Sequence, residues 1–135
     1  MPKEAVNPAS VMKPAGYSHA FEVRGSRLLF LAGQVAKDRD GNVVGKGDMV
    51  AQFRQVCENL KALVESRGGT LGDMVKLTIY VLDKADYRAN AKAIGAVYRD
   101  YFGKHFPAMT LAEVKGLYDT EAGCTIEIEG IAALD

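Results

Sequence analysis

Two carboxylates near the C-terminus carry the clearest chemical potential of this chain. Glu127 and Glu129 stand in Thr125-Ile126-Glu127-Ile128-Glu129-Gly130-Ile131-Ala132, whose alternation reads as a strand. On a strand both share one face with Ile131, while Ile126, Ile128 and Ala132 point the other way. A carboxylate lining an apolar cleft has a raised pKa and can shuttle protons near neutral pH. The same pair in solvent is an ordinary surface charge, with Lys76 or Arg27 as counter-ion. The residues alone leave both readings open.

The other reactive side chains offer less. His19 and His105 are far apart, and neither has Cys or His at ligand spacing, so no zinc site is expected. Cys57 falls on an apolar helical face and reads as a small buried hydrophobe. Phosphate-cradling GxGxxG and GxxxxGK[ST] motifs, HExxH and GxSxG are all absent. No metal or cofactor is expected.

The elements that would hold these residues can be read from periodicity. Residues 1–16 form an extended leader punctuated by Pro2, Pro8, Pro14 and Gly16. Tyr17 to Val23 alternates as a strand, Arg24-Gly25-Ser26-Arg27 reads as a hairpin turn, and Leu28 to Ala32 as a strand buried on both faces. Lys37 to Asn42 is a polar turn. Phe53, Val56, Cys57, Leu60, Leu63 and Val64 make one helical stripe, with Asp48 as N-cap and Gly68-Gly69 as stop. Met74 to Leu82 is β-branched and strand-like. Asp83 or Asp86 caps a second helix, whose face runs from Tyr87 through Ala91, Ile94, Val97, Tyr98 and Tyr101 to Phe102, with Gly103 as its end. Pro107 opens a strand from Ala108 to Val114. The polar loop Tyr118 to Gly123 leads into the last strand.

The order ββαβαββ predicts an α+β two-layer sandwich, a mixed β-sheet with two helices on one face, forming a single domain over residues 1–135. No helix is left to cover the second face of the strand Leu28 to Ala32, and the leader could cover only part of it. That predicts an oligomer whose sheets pack together.

Composition narrows the partners. Lys plus Arg is 17 and Asp plus Glu is 17, a net charge of zero. A nucleic-acid binder needs a basic field to displace counterions from phosphate, so nucleic acid is not an expected partner. Two cysteines are too few for a disulfide scaffold, which fits a reducing cytoplasm. The N-terminus lacks a signal-peptide core, and no apolar run is long enough to span a membrane.

Several segments together resemble one family, in order and over nearly the whole chain. They are Gly16-Tyr17-Ser18, Phe30-Leu31-Ala32-Gly33-Gln34, Asn59-Leu60, Gly72 through Val81, Phe106-Pro107-Ala108 and Ile126 through Ala132. The chain resembles the Rid family (reactive intermediate deaminases, also called YjgF-like or L-PSP endoribonuclease-like proteins). The resemblance implies a chorismate-mutase-like fold and a homotrimer with a central β-barrel. It also implies a small-molecule cleft at each subunit interface. Deaminating members hydrolyse enamines and imines such as 2-aminoacrylate to 2-keto acids and ammonia.

By position, Glu127 matches the family's water- and proton-handling carboxylate, and Glu129 reads as structural. Tyr17 matches a cleft tyrosine and Gly33 a backbone position close to substrate. Ala32, Phe21, Met109 and Leu111 complete the expected lining. Two departures stand out. The deaminating members place an Arg directly after Pro-Ala, where this chain has Met109, and a serine where it has Ala32. Losing a bidentate Arg–carboxylate contact in a dry cleft costs about 2–5 kcal/mol. The loop Tyr118 to Gly123 also carries a few extra residues. Lys115 shares parity with Met109 but lies too far along the strand to replace the Arg. His19, Arg24 and Arg27 are rim candidates for that role. The resemblance therefore implies an imine or enamine hydrolase with altered substrate preference. A non-catalytic metabolite-binding trimer is the alternative, and an RNA-cleaving translation inhibitor the weaker third.

Overall fold

The computed structural model describes residues 3–25 and 27–135. Met1, Pro2 and Ser26 lie outside the described residues, so the centre of the expected 24–27 turn is not characterised.

Ten elements follow in order: β1 (Lys3–Val6), β2 (Ala20–Val23), β3 (Arg27–Gln34), α1 (Met49–Glu65), a 3₁₀ turn (Leu71–Asp73), β4 (Met74–Val81), α2 (Lys84–Ala89), α3 (Ala91–Phe102), β5 (Ala108–Glu113) and β6 (Ile126–Leu134). Four strands make one mixed sheet in the order β3-β6-β4-β5. β6 runs antiparallel to β3 and β4, while β4 and β5 are parallel. Parallel neighbours need a crossover, and α2 with α3 supplies it. The sandwich of one mixed sheet and two main helices agrees with the sequence.

The helices form where the apolar stripes lie. The Asp48 carboxylate accepts the Ala51 N–H at 3.1 Å and starts α1. Phe53, Val56, Cys57, Leu60 and Val64 are buried beneath it. Leu63, assigned to the same stripe, is 38% exposed instead; Met49 and Gln52 take the buried side. The second predicted helix is two. Asn90 closes α2 and opens α3, and its side-chain amide donates back to the Asp86 carbonyl and carboxylate at 2.9 and 3.0 Å. Such side-chain competition for backbone groups interrupts a helix. Ala91, at the new helix start, is exposed. Gly103, at φ 61, ends α3 in a conformation that costs other residues more.

The N-terminal region departs from the expected hairpin. β2 is shorter than Tyr17–Val23 and pairs antiparallel with β1, not with β3. The leader thus contains a strand. Lys3 Nζ donates to the Asp73 carboxylate at 2.7 Å and to the Ala133 carbonyl at 2.9 Å, fastening β1 beside the end of β6. Ser18 holds the other end: its N–H donates to the Pro107 carbonyl and its hydroxyl to the Phe106 carbonyl, at 3.0 and 2.6 Å. With its partners supplied by the leader and by β5, this segment does not need β3.

Strand alternation sorts the sheet into two faces. Leu77, Ile79, Ile128 and Ala132 point to the helices and are buried. Burying each large aliphatic side chain stabilises the fold by about 1.5–3 kcal/mol. Thr78, Tyr80, Glu127, Glu129 and Ile131 point the other way. On that open face Leu28 is 52% and Phe30 70% exposed, and no other described residue covers them.

Candidate active site

Glu127 sits on the open face, opposite Tyr80 of β4 and beside β3. The β3–β6 register slips between Leu31 and Gln34, so a bulge falls at Ala32-Gly33. The bulge brings Gly33 against Glu127. A Cβ built on Gly33 would lie 2.0 Å from a Glu127 carboxylate oxygen, so glycine lets the carboxylate lie here and any larger residue would turn it away.

The electrostatics of Glu127 follow from its neighbours. Partial burial, then the negative charges of Asp119 and Glu129, hold its carboxyl above the usual carboxylate range. Among the described residues no cation or hydrogen-bond donor reaches it. Glu129 is different. It is exposed and accepts the Tyr80 hydroxyl at 2.8 Å, so neither Lys76 nor Arg27 is its partner. Lys76 donates to Thr110 at 3.1 Å, and Arg27 to the Asp135 carbonyl at 3.1 and 3.2 Å.

Asp119 comes from the polar loop, and nothing in the sequence marks it. Its carboxylate pairs with Lys37 at 2.9 Å. Cys124 N–H, at 3.2 Å, donates to the Asp119 carbonyl and fixes the loop just before β6. Because Asp119 helps raise Glu127, Asp119→Asn is expected to lower the Glu127 pKa and release Lys37 to lower it further. Side-chain ¹³C NMR titration reads this directly, and an unchanged titration would exclude Asp119 as a cause.

The expected lining divides into two groups within one chain. Ala32, Gly33 and Glu127 lie at the β3 side of the sheet. Tyr17, Phe21, Met109 and Leu111 lie at the β5 side, two strand spacings or about 10 Å from Glu127 on β6 and three, or about 14 Å, from Ala32 and Gly33 on β3. Tyr17 packs edge-on against His19, with ring centroids 5.2 Å apart. Phe21 packs against His105 at 5.6 Å. Met109 and Leu111 pair in register with Leu77 and Ile79 and turn toward the helices, opposite to Glu127. Of the rim candidates, His19 contacts the Met12 carbonyl and Arg24 pairs with Glu22 at 2.8 Å.

Cys57 is fully buried, and burial pushes its thiol up to about 12, so it is no nucleophile. Among the described residues, no three His, Cys, Asp or Glu side chains cluster as metal ligands would. Nor is any described helix long and apolar enough to cross a membrane.

These features define a two-layer α+β protein with a desolvated acidic group on its uncovered sheet face. The family model described as Endoribonuclease L-PSP matches residues 8–134. The chain belongs to this family, the Rid or YjgF family. It is 40% identical to a RutC family protein of Pyrococcus horikoshii, over 96% of this chain and 97% of that one. It is 35% identical to the 3-aminoacrylate deaminase RutC of Acinetobacter baylyi, over 98% of both. The solved Rid-family protein YyfB of Yersinia pestis superposes with a TM-score of 0.87 at 36% identity, covering 99% of this chain and all of that one, 100%. RidA of an Antarctic Psychrobacter gives 0.68 at 26%, over 96% and 94%.

Proposed function

We propose that this chain is a hydrolase of the imine or enamine deaminase type, assembled as a homotrimer. The observation that carries this reading is the Glu127 carboxyl, raised in pKa, unpaired, and pressed against the Gly33 backbone. A relative named as a 3-aminoacrylate deaminase supports the class of chemistry. The two separated groups of lining residues support assembly. A cleft uses both only if the β5 edge of one copy meets the open face of another, which would also cover Leu28 and Phe30.

In this reading Glu127 takes a proton from water as its oxygen bonds to the C=N carbon, and the nitrogen receives that proton. The carbinolamine then collapses, expelling ammonia and leaving a C=O group. A carboxyl whose pKa is raised is a stronger base than an ordinary carboxylate, and in turn gives the proton back, as transfer in each direction requires. Met109 offers no ion pair to a substrate carboxylate, so small 2-imino acids are poor substrates and larger or uncharged imines better ones.

Ammonia release from a panel of imines generated in situ tests this. Wild type is expected to be slow on 2-iminopropanoate, and Met109→Arg combined with Ala32→Ser to gain at least about tenfold, a small part of what a bidentate contact supplies. Efficient wild-type turnover of 2-iminopropanoate would overturn the altered preference. No ammonia from any imine would overturn the hydrolase reading, and a 14.6 kDa mass by light scattering would overturn the trimer.

A further inference from the structure

On the open face of the sheet, Glu129 has two diagonal neighbours on β4. It pairs across the strands with Thr78, which leaves Lys76 on one side and Tyr80 on the other. Diagonal neighbours on one face lie about 7–8 Å apart, within reach of long and aromatic side chains. Lys76 is the natural counter-ion, yet its amine turns away to the Thr110 hydroxyl on β5, at 3.1 Å. Tyr80 takes the carboxylate instead, donating its hydroxyl at 2.8 Å.

The two partners differ electrostatically. A lysine would orient Glu129 and cancel its charge, whereas a phenol orients it and leaves the charge whole. The bond to Glu129 in turn holds the Tyr80 hydroxyl above its ordinary pKa, so the donor stays neutral. Tyr80 stands directly opposite Glu127 in the register, so its side chain reaches past that residue to the next carboxylate on the face. The other anion near Glu127 is Asp119, which is ion-paired with Lys37. From the same side comes the buried Cys124 thiol, while β3 presents only Gly33. Glu129 is therefore the neighbouring charge that no cation offsets. It is exposed, and without a partner it would spread over several rotamers, with repulsion from Glu127 favouring those that point away.

We propose that Tyr80 is a positioning residue of the hydrolytic site: its neutral hydroxyl holds Glu129 in place and keeps an uncancelled negative charge beside Glu127. A neighbouring anion opposes ionisation of Glu127 and so strengthens it as the base that takes a proton from water. This role rests on the hydrolase reading; the contact itself does not.

Tyr80→Phe, Glu129→Gln and the double variant test it in full-length protein by two readouts. One is the side-chain ¹³C titration of Glu127 without substrate, the other the pH profile of ammonia release from imines made in situ. Tyr80→Phe removes one hydroxyl from an open face and keeps the fold. Glu129 is then free to turn to water, so Glu127 is expected to titrate lower. The rate on the acid side of the profile rises about twofold, in keeping with a like-charge contact at about 7 Å in water. Glu129→Gln moves both readouts in the same direction and at least as far. Added to Glu129→Gln, Tyr80→Phe changes nothing more, because the two act through one contact. A Glu127 titration unmoved in Tyr80→Phe would overturn the proposal, even where ammonia release still depends on Glu127. So would a Tyr80→Phe shift that persists in full beside Glu129→Gln, since the hydroxyl would then act on Glu127 or substrate directly. Absence of ammonia from every imine overturns the hydrolase reading and the role with it, while the titration still decides the contact.

Discussion

Glu127→Gln is expected to lower imine hydrolysis by at least about 100-fold while the protein keeps its fold. General acid–base groups typically contribute about 10²–10⁴ in rate, and Gln is the same size but cannot exchange the proton. The change removes a partly desolvated charge repelled by Asp119 and Glu129, so the fold loses nothing. The pH profile sharpens the test. Glu127 must be ionised to take a proton from water, so the rate rises with pH through its pKa. That pKa is raised, so the rising limb lies above the range of an ordinary carboxylate. In Glu127→Gln this limb disappears. A variant that retains the wild-type rate and limb would remove Glu127 from the chemistry.

Gln52→Leu is expected to destabilise the protein by about 3–5 kcal/mol, lowering the melting temperature on the order of 10–20 °C. Gln52 is fully buried. Its amide donates to the Gly123 and Gly45 carbonyls at 2.9 and 3.2 Å. Its carbonyl oxygen accepts the Thr125 N–H at 2.9 Å and the Thr125 hydroxyl at 3.2 Å. Leu fills the space and satisfies none of these groups, and each stranded buried partner costs about 1–3 kcal/mol. Gln52→Glu is worse, since it keeps the acceptor, loses both donors and buries a charge. Thermal unfolding measures both, and a Gln52→Leu loss below 1 kcal/mol would show that the network does not hold the fold. The network joins α1 to the loop that delivers Asp119, so the substitution also disturbs the surroundings of Glu127.

Much of this was open to reading from residue order, and the failures have physical causes. Alternation along β6 places Glu127 and Glu129 on one face without a structure, because a strand has a strict period of two. Asp48, Gly103 and the α1 stripe are equally legible, since caps and periodicity are local. Gln52 is not, because a glutamine on a helix reads as solvent-facing until its partners in Gly45, Gly123 and Thr125 are known. Asp119 sits in a loop with no pattern to fix its direction. The pairing of β2 turns on Lys3 reaching Asp73, a contact across 70 residues. Met109 stands where the resemblance implies an Arg. Its turn toward the helices, away from Glu127, appears only when β5 is laid in register on β4.

The two thiols have a practical meaning. Cys57 beneath α1 and Cys124 before β6 are both 0% exposed. A thiol reacts as its thiolate, and only when a reagent can reach it. Alkylation of either therefore requires the surrounding structure to open first, and its rate reports how often that happens. The chain carries two native clocks of local opening, one under the helical layer and one at the root of the last strand.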